Sequence, residues 1–153
     1  MLALLLAAAL SCAEPLFVVE RSTNANVVVY EARRSPDGPL DAERPVDVSW
    51  QLADGRREPL TVLERAWAYG IDVAPEGEGF RLSIHALPSR LLFLATGEDG
   101  CPSVFAEIDG GPAVLRRVFV DVRGGGIFPR VLGVELEGRR PGGEPVRERI
   151  SPR

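Results

Sequence analysis

The stretch VDVSWQL, residues 46 to 52, decides the fold class. Val46, Val48, Trp50 and Leu52 alternate with Asp47, Ser49 and Gln51. A period of two sends successive side chains to opposite faces, so this is a strand with one dry face and one wet face. The pattern recurs along the chain. Leu82, Ile84 and Ala86 alternate with Arg81, Ser83 and His85; Val118, Val120 and Val122 with Phe119, Asp121 and Arg123; Leu132, Val134 and Leu136 with Val131, Gly133 and Glu135. Turn formers separate the runs: Ser35-Pro-Asp-Gly38, Asp54-Gly55, Pro75-Glu-Gly77, Pro88-Ser89, Gly97-Glu-Asp-Gly100, Asp109-Gly-Gly111, Gly124-Gly-Gly126 and Pro141-Gly-Gly143. Asp-Gly and Gly-Gly pairs supply the positive φ angles of tight hairpins. The spacing predicts an all-β chain, a single antiparallel barrel or sandwich of about 8–9 strands and calycin-like size. No linker or repeat divides residues 14–153, which read as one domain.

One segment departs from period two. In EPLTVLERAWAYG, residues 58 to 70, Leu60, Leu63 and Trp67 recur at helical spacing. Thr61 and Glu64 form a Ser/Thr-x-x-Glu capping box, and Gly70 stands where a helix would end. One short helix near residues 62–69 is expected. Two turns are not stable alone, so its apolar face is expected to close over the sheet or plug a barrel end.

Composition excludes several functions. The 153 residues carry a formal net charge of −4, and the pI is about 5.1. A nucleic-acid surface needs a basic stripe to displace counterions, and none is expected here. All 18 basic residues are arginine. That suits either carboxylate and phosphate recognition through the guanidinium fork or a plain compositional bias. Without lysine, Schiff-base and P-loop chemistry are unsupported.

The chain opens MLALLLAAALSCAEP. The apolar run Leu2 to Leu10 is too short to span a bilayer as a helix. With small Ser11 and Ala13 after it, residues 1–13 read as a signal peptide cleaved after Ala13, giving a periplasmic or secreted protein. Cys12 offers a second reading, the acylated cysteine of a lipoprotein, and only then is a membrane anchor expected. Either way Cys101 is expected to lack an intramolecular partner, so the fold would not depend on a disulfide and Cys101 would be a buried, inert thiol.

Catalytic patterns are sparse. The single histidine, His85, reads as mid-strand and structural, and a Gly-x-Ser-x-Gly elbow is absent. Histidines and cysteines are too few for a zinc site, and no cofactor is expected. The acidic run Asp37, Asp41, Glu43 and Asp47 lacks a calcium-loop pattern and reads as a hairpin turn. A carboxylate pair brought together from distant positions stays open. Two polar-aromatic stretches remain: Glu20-Arg-Ser-Thr-Asn-Ala-Asn26 continuing to Tyr30, and Glu64-Arg-Ala-Trp-Ala-Tyr-Gly70. Asn24 and Asn26 suit a hairpin corner, where their side chains bond nearby backbone, better than a ligand site.

Four blocks carry a resemblance. They are Arg21-Ser-Thr-Asn-Ala-Asn26 with Tyr30, Arg44-Pro-Val-Asp-Val-Ser-Trp50, Glu64-Arg-Ala-Trp-Ala-Tyr-Gly70, and Pro129-Arg-Val-Leu-Gly-Val-Glu-Leu-Glu-Gly138. In this order and spacing they resemble a family of small exported bacterial proteins described only as a domain of unknown function. The resemblance implies a compact β domain and brings no activity, cofactor or catalytic residue. It weights the polar cluster toward a shared site. The reading that results is a non-enzymatic binding module of the cell envelope for a small or extended ligand. Arg21, Asn24, Asn26, Tyr30, Trp50, Arg65 and Tyr69 would line the site. The alternatives are an envelope hydrolase using Glu20 and Glu64, and an assembly subunit using a sheet edge or an apolar patch.

Overall fold

A computed structural model describes Cys12 and residues 15–36, 40–124 and 130–152. Apart from Cys12, the expected signal segment 1–13 lies outside these residues, as do parts of the expected turns at 35–38 and 124–126. The elements are β1 (Phe17–Arg21), β2 (Asn24–Ala32), β3 (Val46–Gln51), β4 (Arg57–Pro59), α1 (Val62–Trp67), β5 (Ile71–Glu76), β6 (Gly79–Ile84), β7 (Leu92–Thr96), β8 (Pro102–Ile108), β9 (Gly111–Arg123), β10 (Arg130–Arg139) and β11 (Pro145–Ile150). The chain is all-β with one short helix, and its strands form a single sheet curled into a half-barrel. Nine strands run in the order β4-β3-β2-β1-β9-β8-β7-β6-β5, with β10 on the other edge of β9 and β11 beyond it.

The 13-residue β9 organises this sheet. Along one edge it pairs with β8 through Gly111 to Val114 and then with β1 through Arg117 to Val120. Along the other edge it pairs with β10 almost throughout. Between the two neighbours the register slips, so that Glu137 faces Arg117 while Gly138 faces Leu115. Arg116 is the extra residue of a β-bulge. The inward face changes parity there, from Ala113 and Leu115 to Val118, Val120 and Val122, all buried. Both arginines are thereby kept out of the core. Gly138 is required at this crossing, because a Cβ there would lie 2.4 Å from the Val114 carbonyl oxygen.

The sheet differs from the expected antiparallel pattern at one ladder. β1 runs parallel to β9, and every other pairing among the described residues is antiparallel. The β8–β9 hairpin follows its sequence: Ile108 pairs with Gly111 across Asp109 (φ 50°) and Gly110 (φ 78°). Positive φ at both central residues is the type I′ geometry that Asp-Gly favours. His85 follows the last residue of β6 rather than lying mid-strand.

The inner face forms one apolar cluster, from Phe17 and Val19 on β1 to Leu136 on β10. The outer face carries arginine–carboxylate pairs across neighbouring strands. Arg117 meets Glu20 at 2.7 Å and Glu137 at 3.3 Å, and Arg149 meets Asp121 at 3.1 Å. Much of the arginine therefore serves as cross-strand pairing on the wet face.

Helix α1 corrects an expectation. It ends at Trp67, and none of its residues is buried. Val62, Leu63 and Trp67 are 83%, 71% and 82% exposed, so the apolar face does not close over the sheet. The core is filled instead by the residues just outside the helix, Leu60 and Tyr69. Helical spacing reported the helix correctly but not which way it faces, because the anchors lie on the flanking turns.

The cysteines correct another. Cys101 is not a lone thiol: it is disulfide-bonded to Cys12, with the Cα atoms 5.5 Å apart at a sequence separation of 89. The bond ties the segment before β1 to the β7–β8 turn, and it uses the sulfur that acylation of Cys12 would need. Closing so long a loop removes much entropy from the unfolded chain. Replacing Cys101 with serine is expected to lower stability by about 2–4 kcal/mol, read by urea denaturation of the oxidised protein.

Glu148 on β11 fastens three elements. It accepts hydrogen bonds from Arg90 at 2.5 and 3.2 Å and from the Asp109 N–H at 2.6 Å, while Arg90 also donates to the Glu107 carbonyl. The Arg90 hydrogen bonds, then the Asp109 N–H, hold the Glu148 carboxyl below the usual carboxylate range. A lowered folded-state pKa contributes stability above the unfolded pKa, and that contribution is lost as pH falls through the folded value. Glu148→Gln should cost about 1–2 kcal/mol at neutral pH. The difference from the parent should shrink as pH drops through the carboxylate range in parallel denaturation curves.

Candidate functional site

At the end of the half-barrel where β1 turns into β2, the apolar inner face gives way to a polar-aromatic group. Strand register builds its walls: Phe17 faces Tyr30, Val28 faces Trp50, and Arg21 faces Asn24. Tyr69 arrives from the turn after α1, where its N–H donates to the Glu64 carbonyl at 2.8 Å and drives the side chain into the core. The Trp50 and Tyr69 rings meet edge to face at 5.2 Å. The Arg21 guanidinium lies over the Tyr69 ring, 5.4 Å from its centroid.

Glu64 ties the helix to this group. The Thr61 hydroxyl accepts from the Glu64 N–H at 3.2 Å, as a helix cap should. The Glu64 carboxylate does not return to the cap residue; it accepts a hydrogen bond from the Trp50 indole N–H. Behind the group, the Tyr30 hydroxyl donates to the Tyr69 carbonyl at 2.8 Å, and its ring stacks on Phe17 at 4.4 Å. Burial pushes both phenols up from their ordinary pKa; at Tyr69 the Arg21 charge opposes that rise, and at Tyr30 the neighbouring Tyr69 adds to it. Both therefore remain hydroxyl donors near neutral pH. Gly70 closes the block. A Cβ there would sit 1.8 Å from the Arg65 carbonyl oxygen and 2.9 Å from the His85 ring.

Arg21 stands apart from the arginines of the outer face. Among the described residues no carboxylate lies within ion-pair distance of it, and its Nε is buried without a hydrogen-bond partner. A guanidinium over an aromatic ring, beside an indole, can hold an anionic group in a fork and a flat or apolar body against the rings.

Of the residues expected to line a site, Arg21, Trp50 and Tyr69 come together. Tyr30 belongs to the same group but is fully buried, so it supports the site rather than lining it. Asn24 and Asn26 are a corner. The Asn24 side chain accepts from the Asn26 N–H at 2.9 Å, and Asn26 accepts from the Ala53 N–H at 3.1 Å, pinning the β3–β4 turn. Ser22 also has a structural duty, since its hydroxyl donates to the Val122 carbonyl and accepts from the Val122 N–H. Arg65 points elsewhere and lines a slot between β3 and β5. Glu20 faces outward to Arg117 while Glu64 meets Trp50 on the inner side, so the two carboxylates do not share a cleft.

The acidic run has local partners. Asp41 accepts from the Glu43 and Arg44 N–H groups, and Asp47 pairs with Arg33 at 3.4 Å; Asp37 lies outside the described residues. Among the described residues no group of three or more histidine, cysteine or acidic side chains is placed to hold a metal ion. No helix among them is long and apolar enough to cross a membrane. The Glu64–Trp50 link was not legible in the sequence, because a capping glutamate and a strand tryptophan 14 residues apart carry no shared pattern.

Residues 17–149, from the start of β1 to the penultimate residue of β11, match the model of the family described as Domain of unknown function (DUF4833). The chain belongs to that family. No curated protein and no solved structure matches it.

Removing the Tyr30 hydroxyl would strip the Tyr69 carbonyl of its buried donor. Tyr30→Phe is expected to cost about 1–2 kcal/mol in urea denaturation.

Proposed function

We propose that this DUF4833 protein is a non-enzymatic binding module of the bacterial cell envelope. It takes a small or extended ligand with an anionic group at the polar-aromatic end of the half-barrel. The observation that carries the reading is Arg21, a cation reaching the inner face with no carboxylate partner among the described residues and its Nε unsatisfied. Desolvating a guanidinium without a partner is costly, and folds retain such groups where a ligand supplies the counter-charge. Trp50 and Tyr69 offer the aromatic surface, and Glu64 holds the indole in place. Mouths of curled sheets are common sites for such ligands. Export is supported by the Cys12–Cys101 bond, since disulfides persist in oxidising compartments, and that bond requires any cleavage of the apolar leader to fall before Cys12 rather than after Ala13.

The test is intact mass of the protein purified from its own envelope, measured under native and then denaturing conditions. A mass present only under native conditions is expected, and it should be absent from Arg21→Gln at unchanged thermal stability. Equal ligand occupancy in the variant would refute Arg21 as the anchor. A bare native chain would count against the binding-module reading itself.

A further inference from the structure

Helix α1 is amphipathic the wrong way round. Its Glu64 turns inward to the Trp50 indole, while Val62, Leu63 and Trp67 are 83%, 71% and 82% exposed and Ala66 is exposed beside them. At about 100° of rotation per residue these four fall on one arc of the helix and form a continuous apolar knob. Leaving that surface in water forfeits the free energy of burying it, and contiguous exposed apolar patches mark contact surfaces.

Size narrows what can cover it. Six residues make a helix about 9 Å long. The exposed β4 that leads into it carries ion pairs, Arg57 with Glu31 and, in the preceding turn, Arg56 with Asp54. A stable protein partner needs about 800 Å² of close-packed surface, which a knob fringed by charge does not offer. A bilayer asks only that apolar side chains pass the headgroups, with tryptophan at the interface and arginines reaching back to phosphate.

Charge points the same way. Strand register gathers the ends of β1, β3 and β9 and the starts of β2 and β10 at one end of the sheet, where Glu64 and Trp50 also hold α1. There Arg123, the last residue of β9, stands directly opposite Arg130, the first of β10. Like charges face to face on a strand pair repel. Both are exposed, and among the described residues neither they nor Arg65 on α1 have a carboxylate within ion-pair distance. Asp72 lies 3.3 Å from the His85 ring, and Glu58 is left to oppose these three guanidiniums.

We infer that this end of the half-barrel docks on an anionic lipid bilayer, with Val62, Leu63 and Trp67 entering below the headgroups and Arg65, Arg123 and Arg130 meeting lipid phosphates. Exposed guanidiniums suit this role, because the phosphates come to them at the surface. Arg21 belongs to neither set, so the inference stands whether or not Arg21 anchors a ligand.

Co-sedimentation of the oxidised protein, purified from its own envelope, with vesicles tests it. One set is phosphatidylcholine alone; the other holds phosphatidylcholine and phosphatidylglycerol in equal parts. The protein should bind the mixed vesicles at least tenfold more tightly than the neutral ones. Leu63→Glu should weaken that binding at least tenfold with an unchanged circular dichroism spectrum. Arg123→Gln combined with Arg130→Gln should bring it down toward the neutral-lipid level. Brominated acyl chains should quench the Trp67 emission, and the quenching should vanish in Trp67→Phe. Binding that is absent from both vesicles, equal on both, or untouched by Leu63→Glu would overturn the inference. So would a lipid-free dimer that Leu63→Glu disperses in sedimentation, since a second copy would then cover the knob.

Discussion

The bulge at Arg116 is the constraint on which the rest of this molecule depends. A 13-residue strand with regular alternation would hold one straight edge and bring Arg117 inward. One extra residue changes the inward parity, bends the strand, and lets β8 occupy its first half and β1 its second. The chain can therefore curl a single sheet around one core and enter that sheet in parallel beside its longest strand. The two arginines at the bend stay on the wet face, where Arg117 pairs with Glu20 and Glu137. Bulges bend strands and increase local twist, which is what a half-barrel requires.

Residues from three of the four sequence blocks that carry the resemblance meet through this curvature. Arg21 ends β1, Trp50 lies near the end of β3, and Tyr69 follows α1; only a curled sheet brings these three within ring contact. Most of the block residues have stabilising duties. Ser22 extends the β1–β9 ladder with its side chain, Asn24 and Asn26 set a corner, Glu64 holds the Trp50 indole, and Gly70 lets the chain pass the helix end. Arg21 alone among them carries a charge inward without a described counter-charge. The contrast separates residues that explain themselves by structure from one that points to a ligand.

A half-barrel also leaves edges that a closed barrel would not have. Closure removes unpaired strand groups, whereas an open curl must blunt or cover them. Here the far end of β5 is blunted by Pro75 and by the Glu76–Arg81 pair, while its near end, at Ile71 and Val73, lies across a slot from Val48. Helix α1 spans the connection between the two terminal strands, anchored by Leu60 and Tyr69 and presenting Val62, Leu63 and Trp67 outward. The same two-turn segment thus joins the sheet's ends without closing them.

Period-two alternation, Asp-Gly turns and the helical spacing behind the Thr61 cap were enough to establish an all-β chain, the β8–β9 hairpin and the position of α1, because these depend on residues adjacent in sequence. Arg21, Trp50 and Tyr69 were legible as candidates from their composition and the family blocks. Their convergence, the outward turn of Leu63 and Trp67, the departure of Arg65 into the slot between β3 and β5 and the Cys12–Cys101 bond were not. Each depends on which strands become neighbours, and strand order is set by burial summed over the whole sheet rather than by any local pattern. The parallel placement of β1 beside β9 is the clearest case: about 100 residues separate partners such as Ser22 and Val122, and only the completed core brings them together.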